Sequence, residues 1–426
     1  MTCPASFSTL QQWLAWLEHA HPVHDIELGL GRIGQVAKVL LQGRPIAKQV
    51  ITVAGTNGKG STIAYLSSIL QTAGITFGAL TSPHFVRFNE RISFNGNTVS
   101  DADLCASFAR VNKARVEAAS EPVELTYFEF NALLAFDLMQ QRQPDVALLE
   151  IGLGGRLDAV NIIDPDIAIV TSIAVDHVDW LGSDIDVIGC EKAGIFRAHQ
   201  PAIFGQVDGT DAVGAYANEI GAKWYQNGDQ FCQQGQIWRS IDGTQLTLPE
   251  VKLPAQNVAA VVQAIKLLPM PISPQAIQKG LREARLTGRY QQLTWRNKRI
   301  ILDVAHNPHA AANLGQELDT ETMPVHGVFA ILSDKDYAAI VEIMAQHLQH
   351  WYIAPTTGPR GLTTADLSQA LDQAGVSQNR YHVCHSVKHA LEQAAANAND
   401  ADSILVFGSF HTVGDALAYF ESQQET

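Results

Sequence analysis

The sequence predicts an α/β protein with two sheet domains: a larger N-terminal domain with a mostly parallel sheet and a smaller, doubly wound C-terminal domain. The main observation is that short apolar, β-branched segments alternate with segments of helical periodicity along nearly the whole chain. This alternation is typical of parallel sheets covered by helices. The second observation is a glycine-rich junction between a predicted strand and a predicted helix, at residues 55–62. Such junctions lie at the sheet edge where α/β proteins bind ligands.

The N-terminal domain opens with a predicted amphipathic helix. Its apolar side chains recur at helical spacing at Phe7, Leu10, Leu14 and Leu17. Ser6 and Ser8 lie at the start of this pattern. Either hydroxyl is a suitable N-cap, because it can accept a hydrogen bond from a backbone N–H of the first turn.

The later elements of this domain follow from the same two signals. Strands are predicted where apolar runs lie between turn residues, and helices where a capping residue precedes a 3.6-residue repeat. The predicted strands are 49–54, 77–81, 145–151 and 166–173, and the predicted helices are 61–73, 126–141, 257–268 and 274–284. Residues 201–254 mix short strands with turns rich in glycine and glutamine, which predicts a small antiparallel elaboration.

A second block of alternating elements begins after Arg289. Its predicted strands are 299–305, 325–332, 351–354, 380–383 and 403–408. Helical patterns separate these strands, which predicts a second, smaller doubly wound sheet. We expect the domain boundary near residues 290–296.

Composition narrows the function classes. Hydrophobic residues make up 46% of the 426 residues and charged residues 17%, as in ordinary globular proteins. The net charge of −14 argues against non-specific binding to nucleic acid, which needs a basic surface. We see neither a signal peptide nor an apolar run of the roughly 18 residues that a membrane span needs. The five scattered cysteines fit a reducing compartment, so we expect a cytoplasmic protein. We also expect a monomer without membrane partners.

The most specific motif is a phosphate-binding loop, Gly55-Thr56-Asn57-Gly58-Lys59-Gly60-Ser61. Its glycines let backbone N–H groups approach phosphate oxygens, and the following helix adds further donors at its N-terminus. Lys59 adds a cation for the β- and γ-phosphates. Gly60 stands between Lys59 and Ser61, so the loop departs from the strict G-x-x-x-x-G-K-[ST] pattern. The alternative interpretation is a glycine-rich turn without a ligand.

This loop resembles the ATP loop of the Mur ligase superfamily. Within the superfamily the resemblance is strongest to the folylpolyglutamate synthase family, specifically its bacterial bifunctional dihydrofolate synthase/folylpolyglutamate synthases. The supporting segments occur in family order at 81–84, 125–129, 150–158, 176–177, 191–194, 302–308 and 408–411. Each segment is moderately specific alone, and the ordered set is highly specific.

The resemblance implies an ATP-dependent carboxylate–amine ligase. A dihydropteroate or folate carboxylate would be activated as an acyl phosphate, and the amine of L-glutamate would attack it. The products are dihydrofolate from 7,8-dihydropteroate and polyglutamates from tetrahydrofolates. The implied domains are an ATP-binding, Mur-ligase-like P-loop ATPase domain at 1–290 and a Rossmann-like glutamate ligase domain at 291–426. ATP is needed because direct amide formation in water is unfavourable and a carboxylate lacks a leaving group.

The resemblance also implies a metal site. Ser82, Glu150 and His177 match Mg²⁺ ligands, in keeping with the preference of Mg²⁺ for oxygen donors and waters. From the residues alone, Ser82 is more simply a turn hydroxyl and His177 a surface histidine.

Lys192 matches a lysine that is carbamylated in the superfamily and binds a second Mg²⁺. With Lys59 and His177 it completes the implied catalytic group. From the residues alone, Lys192 is more simply the exposed partner of Glu191 on a helix.

The remaining site residues are also carried over from the resemblance. The implied ATP contacts beyond the phosphate loop are Asn257, Arg289 and Asp303. The implied substrate contacts are Thr126, Tyr127, Phe128, Glu129, Leu157, Asp158, Ala159, His306 and Ser409. Asn307 is a candidate with His306 for glutamate or nucleotide contacts, His411 is one with Ser409 for the same cleft, and Asp25 is one for the pterin pocket. An aromatic face beside a carboxylate suits a flat heterocycle with amine donors, although Phe128 is equally interpretable as core.

Three alternatives remain open. The first is a monofunctional folylpolyglutamate synthase. The second is another Mur-type ligase, such as one acting on a cell-wall precursor. A third class is a P-loop switch protein that binds nucleotide without ligation. We find neither a GTP base-reading motif nor an interaction surface that would favour this class.

Overall fold

The computed structural model describes residues 7–22, 27–356 and 360–424, and it confirms the predicted α/β class. The chain divides into two units. The first unit comprises residues 1–83 and 88–284, and the second comprises residues 84–87 and 285–426. The short segment 84–87 therefore packs with the second unit although it lies early in the sequence.

The first unit contains an eight-stranded sheet and a separate three-stranded sheet. Its strands are β1 (Gln49–Ala54), β2 (Phe77–Leu80), β3 (Ile92–Phe94), β4 (Asn97–Thr98), β5 (Val146–Glu150), β6 (Ile167–Val170), β7 (Pro201–Phe204), β8 (Lys223–Gln226), β9 (Phe231–Gln234), β10 (Ile237–Ser240) and β11 (Gln245–Thr247).

Helices cover this sheet. They are α1 (Leu10–Ala20), α2 (Gly31–Leu41), α3 (Lys59–Thr72), α4 (Asp101–Glu117), α5 (Tyr127–Arg142), α6 (Val178–Leu181), α7 (Ile185–Ala193), α8 (Asp211–Glu219), α9 (Val258–Leu267) and α10 (Pro274–Glu283). Short 3₁₀ turns lie at Phe88–Arg91, Ala159–Ile162 and Ala255–Asn257.

The strand order of the large sheet places the phosphate loop near its centre. The order is β4-β3-β2-β5-β1-β6-β7-β8. Reading along this order, every neighbouring pair from β2 onwards is parallel. In register, Val53 lies opposite Glu150 on β5, and Ala54 lies opposite Val170 on β6. The carboxyl ends of these neighbouring strands therefore meet at one edge, where ligands bind in such sheets.

Two expectations for the first unit need correction. The segment 201–254 is not wholly an antiparallel elaboration, because β7 and β8 extend the large parallel sheet and β9, β10 and β11 alone form the antiparallel one. β7 and β8 were expected as short strands of that elaboration, because the local pattern does not show that they pair in parallel with β6 and with each other.

The cap of α1 is Thr9, not Ser6 or Ser8. The hydroxyl of Thr9 accepts from the N–H of Gln12, and the Gln12 side chain accepts from the N–H of Thr9. This reciprocal pair satisfies two donors of the helix start, which Ser8 does not do. Ser6 lies outside the described residues.

The second unit holds a six-stranded sheet. Its strands are β12 (Gln291–Trp295), β13 (Lys298–Asp303), β14 (Val325–Phe329), β15 (His350–Ile353), β16 (Tyr381–Val383) and β17 (Ser403–Phe407). Its helices are α11 (Pro308–Leu318), α12 (Tyr337–Met344), α13 (Thr364–Gln373), α14 (Val387–Asn397) and α15 (Phe410–Gln424), with a 3₁₀ turn at Gln378–Arg380. The strand order is β12-β13-β17-β14-β15-β16, and all pairs except β12–β13 are parallel.

The edge strand β12 was not predicted. It forms a hairpin with β13 through Arg296 and Asn297, whose φ angles are both positive, at 49° and 62°. A two-residue turn of this kind usually contains glycine, so Arg-Asn gave no turn signal.

Within the described helices, none combines the length and the apolar character that crossing a bilayer requires.

Candidate functional site

The phosphate loop lies between β1 and α3, as predicted. Gly55 has a φ of 139°, and a methyl group there would lie 1.9 Å from the hydroxyl oxygen of Thr171. Gly58 directly precedes α3 in a left-handed conformation, with a φ of 88°. Both positions therefore require glycine, because an L side chain is strained in this region and has no space.

The neighbouring end of β6 holds the loop in shape. The hydroxyls of Thr171 and Ser172 both donate to the carbonyl oxygen of Asn57, at 2.6 and 3.1 Å. The hydroxyl of Thr56 donates to the carbonyl oxygen of Ala174 and accepts from its N–H, each at 3.0 Å. Sequence reasoning missed Thr171 and Ser172. Their one signal is a pair of hydroxyls at the end of a strand beside the loop.

Asn257 lies directly against the loop. A methyl group on Gly58 would stand 2.4 Å from its amide oxygen. Its side chain is buried, and its amide nitrogen has no hydrogen-bond partner among the described residues. Buried polar groups are nearly always bonded. This amide therefore fits a ligand in the loop, and the structure brings together these two predicted ATP contacts.

Three polar side chains at the start of α3 also suit a ligand bound in the loop. The Lys59 ammonium donates to the carbonyl oxygens of Gly55 and Thr56, at 2.9 and 3.4 Å, so it lies over the loop. The hydroxyls of Ser61 and Thr62 are buried and have no hydrogen-bond partner within the part of the chain that the structure describes. An oxyanion or a cation at this helix terminus would satisfy these hydroxyls.

Ser82 and Glu150 come together at the same edge of the sheet. Glu150 is the last residue of β5 and is buried. Its carboxylate accepts a hydrogen bond from the N–H of Ser82 at 3.1 Å. A carboxylate at this position suits Mg²⁺, which is usually bound through one or two carboxylates, waters and substrate phosphates.

His177 is placed differently. It is exposed, has a left-handed backbone with a φ of 53°, and directly precedes α6. Over the described ranges no three His, Cys, Asp or Glu side chains are grouped so that they could hold a metal. The assignment of His177 as a Mg²⁺ ligand therefore stays a prediction.

Lys192 is buried near the end of α7, which excludes the exposed-surface interpretation. The loop after β5 packs directly on it: a methyl group on Gly155 would lie 2.8 Å from the Lys192 carbonyl oxygen. Burial and the charge of Lys59 lower the pKa of the Lys192 amine to about 7. Much of this amine is therefore neutral near pH 7, and a neutral amine is a nucleophile.

The segment 126–129 begins α5. The Thr126 hydroxyl accepts from the N–H of Glu129, and the Glu129 carboxylate accepts from the N–H of Thr126 at 2.8 Å. Tyr127 is buried, with the guanidinium of Arg91 lying 5.5 Å from its ring centre. Phe128 is half-buried against Gly152, where a methyl group would meet its ring at 2.6 Å. Phe128 therefore lies beside the loop that follows Glu150.

Asp158 closes that loop. Its carboxylate accepts from the N–H groups of Gly152, Leu153 and Val160, at 3.1, 2.9 and 2.9 Å. Burial nevertheless raises the pKa of this carboxyl to about 6. The neighbouring Leu157 accepts from the N–H of Gly29 at 3.2 Å. Asp25 lies outside the described residues.

In the second unit, Asp303 is the last residue of β13, and its carboxylate is hydrogen-bonded to the backbone of that unit. Its two carboxylate oxygens accept from the N–H groups of Tyr290 and Ala305, each at 2.8 Å. Burial raises the pKa of Asp303, and the charge of Arg289 opposes this rise. The guanidinium of Arg289 lies 5.7 Å from the ring centre of Phe410.

The other predicted residues of this unit also bond to the backbone around them. His306 Nδ1 is 2.8 Å from the carbonyl oxygen of Val304. Asn307 caps α11 by accepting from the N–H of Ala310 at 2.9 Å. The Ser409 hydroxyl accepts from the N–H of Thr412 at 3.0 Å. The structure thus gathers Asp303, His306 and Asn307 at the end of β13, while His411 is exposed.

Comparison with known protein families adds two matches. The model of the Mur ligase middle domain matches residues 53–231, which contain the phosphate loop. The model of the Mur ligase, glutamate ligase domain matches residues 288–410. The dihydrofolate synthase/folylpolyglutamate synthase of Escherichia coli (strain K12) is 40% identical over 429 residues, which cover 99% of this chain and 98% of that protein.

Solved structures agree with these matches. E. coli FolC in complex with DHPP and ADP is 39% identical, with a TM-score of 0.90, covering 99% of this chain and 100% of that one. A bifunctional folylpolyglutamate synthase/dihydrofolate synthase with Mn, AMPPNP and L-glutamate bound is 40% identical, with a TM-score of 0.89 and the same coverage.

Proposed function

The chain belongs to the Mur ligase family, within its dihydrofolate synthase/folylpolyglutamate synthase branch, and we propose that it joins L-glutamate to a pteroate or folate carboxylate using ATP. One observation carries the proposal. Around a loop that fits phosphate, the buried polar groups of Ser61, Thr62 and Asn257 have no partner among the described residues, and the loop lies at the sheet edge that also holds Glu150. The relatives named for both folate activities match this chain over nearly its full length.

The reaction follows from the chemistry of the groups. A carboxylate oxygen of the acceptor attacks the γ-phosphorus of ATP, and ADP leaves. The glutamate amine then attacks the acyl carbon of the acyl phosphate, phosphate departs, and the nitrogen loses its proton as the amide forms. Lys59 and the N–H groups of the loop stabilise the charge on the transferring phosphoryl group, which is the main task of the protein in phosphoryl transfer.

A divalent cation is part of the proposal, because a relative binds AMPPNP together with Mn. In this chain Glu150 and the Ser82 and Ser61 hydroxyls are the groups that would hold it, with His177 as a predicted further ligand. Neutralisation of phosphate charge is the chemistry that the bound ion supplies. A second ion is carried over from the family resemblance.

Carbamylation of Lys192 belongs to the same proposal. The modification needs a neutral amine that attacks CO₂, and it converts that amine into an oxygen-donor anion. Burial of Lys192 beside Lys59 supports it, because both factors disfavour the ammonium form. The carbamate would then turn an unfavourable buried cation into a ligand suited to Mg²⁺.

The acceptor and nucleotide contacts complete the assignment. We assign the pterin ring to the surroundings of Thr126–Glu129 and Leu157–Ala159, and glutamate to His306 and Ser409. Arg289 contacts the nucleotide, and Asp303 serves it by holding the backbone of residues 290 and 305. The first domain binds ATP and the second acts as the glutamate ligase domain. Monomeric state and cytoplasmic location stay predictions.

The test is acceptor-dependent ATP turnover by the purified chain with Mg²⁺ and L-glutamate. Phosphate release and a product heavier by one glutamyl residue are expected with dihydropteroate and with tetrahydrofolate. Turnover with tetrahydrofolate alone would leave a monofunctional folylpolyglutamate synthase. Turnover only with a nucleotide-sugar peptide would assign another Mur ligase. ATP hydrolysis that ignores every acceptor would favour a switch protein.

A further inference from the structure

Three segments of the first unit meet beside the loop that follows Glu150. The segment 27–32 bonds to the segment 152–158 through the N–H of Gly29 and the carbonyl oxygen of Leu157, at 3.2 Å. The segment 152–158 in turn meets the start of α5, where Phe128 packs on Gly152. These three segments carry or adjoin most of the residues assigned above to the acceptor.

Arg32, on the first turn of α2, links the segment 27–32 to the start of α5. Its Nε and Nη2 atoms donate to the two carboxylate oxygens of Glu129, at 3.4 and 3.3 Å. The same guanidinium binds the Glu27 carboxylate and donates to the Glu27 carbonyl oxygen at 3.1 Å. Arg32 therefore fixes the segment that precedes α2 to the N-terminus of α5.

The carboxylate of Glu129 is already bonded within the protein. Its side chain is 2% exposed, and its carboxylate already accepts from Arg32 and from the N–H of Thr126. A buried carboxylate without its cation would be strongly unfavourable. Glu129 thus holds Arg32 and the helix start, and its direct contact with the acceptor stays a prediction.

We propose that Arg32 is a positioning residue for the acyl acceptor, because it joins the segments 27–32 and 126–129 into one wall of the acceptor pocket. This inference rests on the proposed function. The planar guanidinium is suited to the task, since it bonds both Glu129 oxygens and Glu27 at once in a fixed geometry. A lysine carries the charge but lacks that geometry.

The experiment replaces Arg32 with Met, which keeps the length of the apolar stem and removes the charged fork. We expect Arg32→Met to raise the KM for dihydropteroate or tetrahydrofolate about tenfold or more, while the KM for ATP and kcat stay within about twofold of wild type. Arg32→Lys should fall between the two. In a Glu129→Gln background, Arg32→Met should add little, because one interaction has already been broken.

The chain offers a matched control in a second arginine whose carboxylate partner also lies on α5. Arg110 on α4 is also partly exposed, and its Nη2 donates at 2.6 Å to Asp137, a buried carboxylate on α5. Arg110→Met removes an arginine–carboxylate ion pair that includes no residue of the three segments. We expect it to lower stability about as much as Arg32→Met does and to leave the KM for the acceptor unchanged.

Three outcomes would overturn the inference. They are an unchanged acceptor KM in Arg32→Met, an equal rise in the KM for ATP, and an equal rise in the acceptor KM in Arg110→Met. The first assigns Arg32 a purely structural role, and the other two indicate a general loss of order. Absence of acceptor-dependent turnover in the wild-type chain is a separate result, because it contradicts the proposed function before any variant is made.

Discussion

The phosphate loop of the first unit and the strand-end loop of the second unit use their polar side chains in opposite ways. Around the phosphate loop, Ser61, Thr62 and Asn257 are buried with a polar atom that has no described partner. At the end of β13, Asp303 and Asn307 accept hydrogen bonds from the backbone of their own unit. Ser61 was predicted from the glycine-rich loop, whereas Asn257, Asp303 and Asn307 were carried over from the family resemblance.

This difference distinguishes side chains that can bind a ligand from side chains that stabilise a loop. An unsatisfied buried polar group costs about 1–3 kcal/mol, so it persists where a ligand will satisfy it. A satisfied carboxylate or amide stabilises the loop that presents other groups. We therefore expect substitutions in the phosphate loop to reduce binding and turnover, and those at the end of β13 to reduce mainly stability.

The largest effect is expected for Lys59→Met. Loss of this cation should lower acceptor-dependent ATP turnover by about 10²–10³-fold, because preorganised charge at the phosphates is removed. Phosphate release at saturating ATP measures it. Lys48→Met is the control, since Lys48 is exposed and pairs with Asp145 at the other end of β1. Comparable loss in both variants would contradict a local role for Lys59.

Lys192→Ala should follow, with a loss of about 10²-fold in turnover at saturating substrates. Intact-mass measurement under CO₂ should find one added CO₂ on the wild-type chain and none on the variant. Because the pKa of the Lys192 amine is about 7, the carbamylated fraction should rise as pH rises through 7, where the amine becomes neutral. Full activity of Lys192→Ala would end the proposal of a metal-binding carbamate.

Gly58→Ala sharpens the comparison at the level of the backbone. An alanine at position 58 is strained at a φ of 88°, and its methyl group would lie 2.4 Å from the Asn257 amide oxygen. Because the loop must move to accommodate it, the KM for ATP should rise about tenfold. Gly221→Ala is the matched control. It has a similar φ of 72° but nothing within 4 Å, so it should lower stability and spare the KM for ATP. An equal KM effect in both variants would assign the change to general strain.

The smallest effect on turnover is expected for Asp303→Asn. An amide offers one acceptor oxygen in place of two, so the free energy of unfolding should fall by about 1–3 kcal/mol, while the KM for ATP changes less than about threefold. Denaturant unfolding and ATP titration of the kinetics measure the two quantities. A large rise in the KM for ATP at unchanged stability would break the comparison, because it would make Asp303 a direct nucleotide contact.

The same variant has a pH signature. Burial raises the pKa of Asp303 above its value in the unfolded chain, so the native state binds this proton more tightly. Its contribution to stability is therefore greatest below the unfolded pKa and is lost as pH rises through the native pKa. The stability difference between wild type and Asp303→Asn should narrow over that rise. A widening difference would contradict the assigned direction.

Local sequence was sufficient for elements with a strong pattern. β1 was predicted at both ends, and α5 was predicted to begin at residue 126, where Thr126 is its cap, because buried runs and capping residues act through near neighbours. It was insufficient for β12, β7 and β8. The local pattern did not assign β7 and β8 to the large parallel sheet, and the Arg296–Asn297 turn has its positive φ angles without glycine. Pairing with neighbouring strands, which is not local, decides such segments.

The sequence by itself determined the α/β class, the phosphate loop and the family, because these depend on residue types at fixed short spacings. Only the tertiary structure decided that Lys192 is buried, that Asn257 lies against Gly58, and that Arg32 holds Glu129. Burial, pKa and hydrogen-bond satisfaction depend on which distant segments meet. The phosphate loop was visible as a motif, whereas its unpartnered hydroxyls became visible only once the strands beside it were in place.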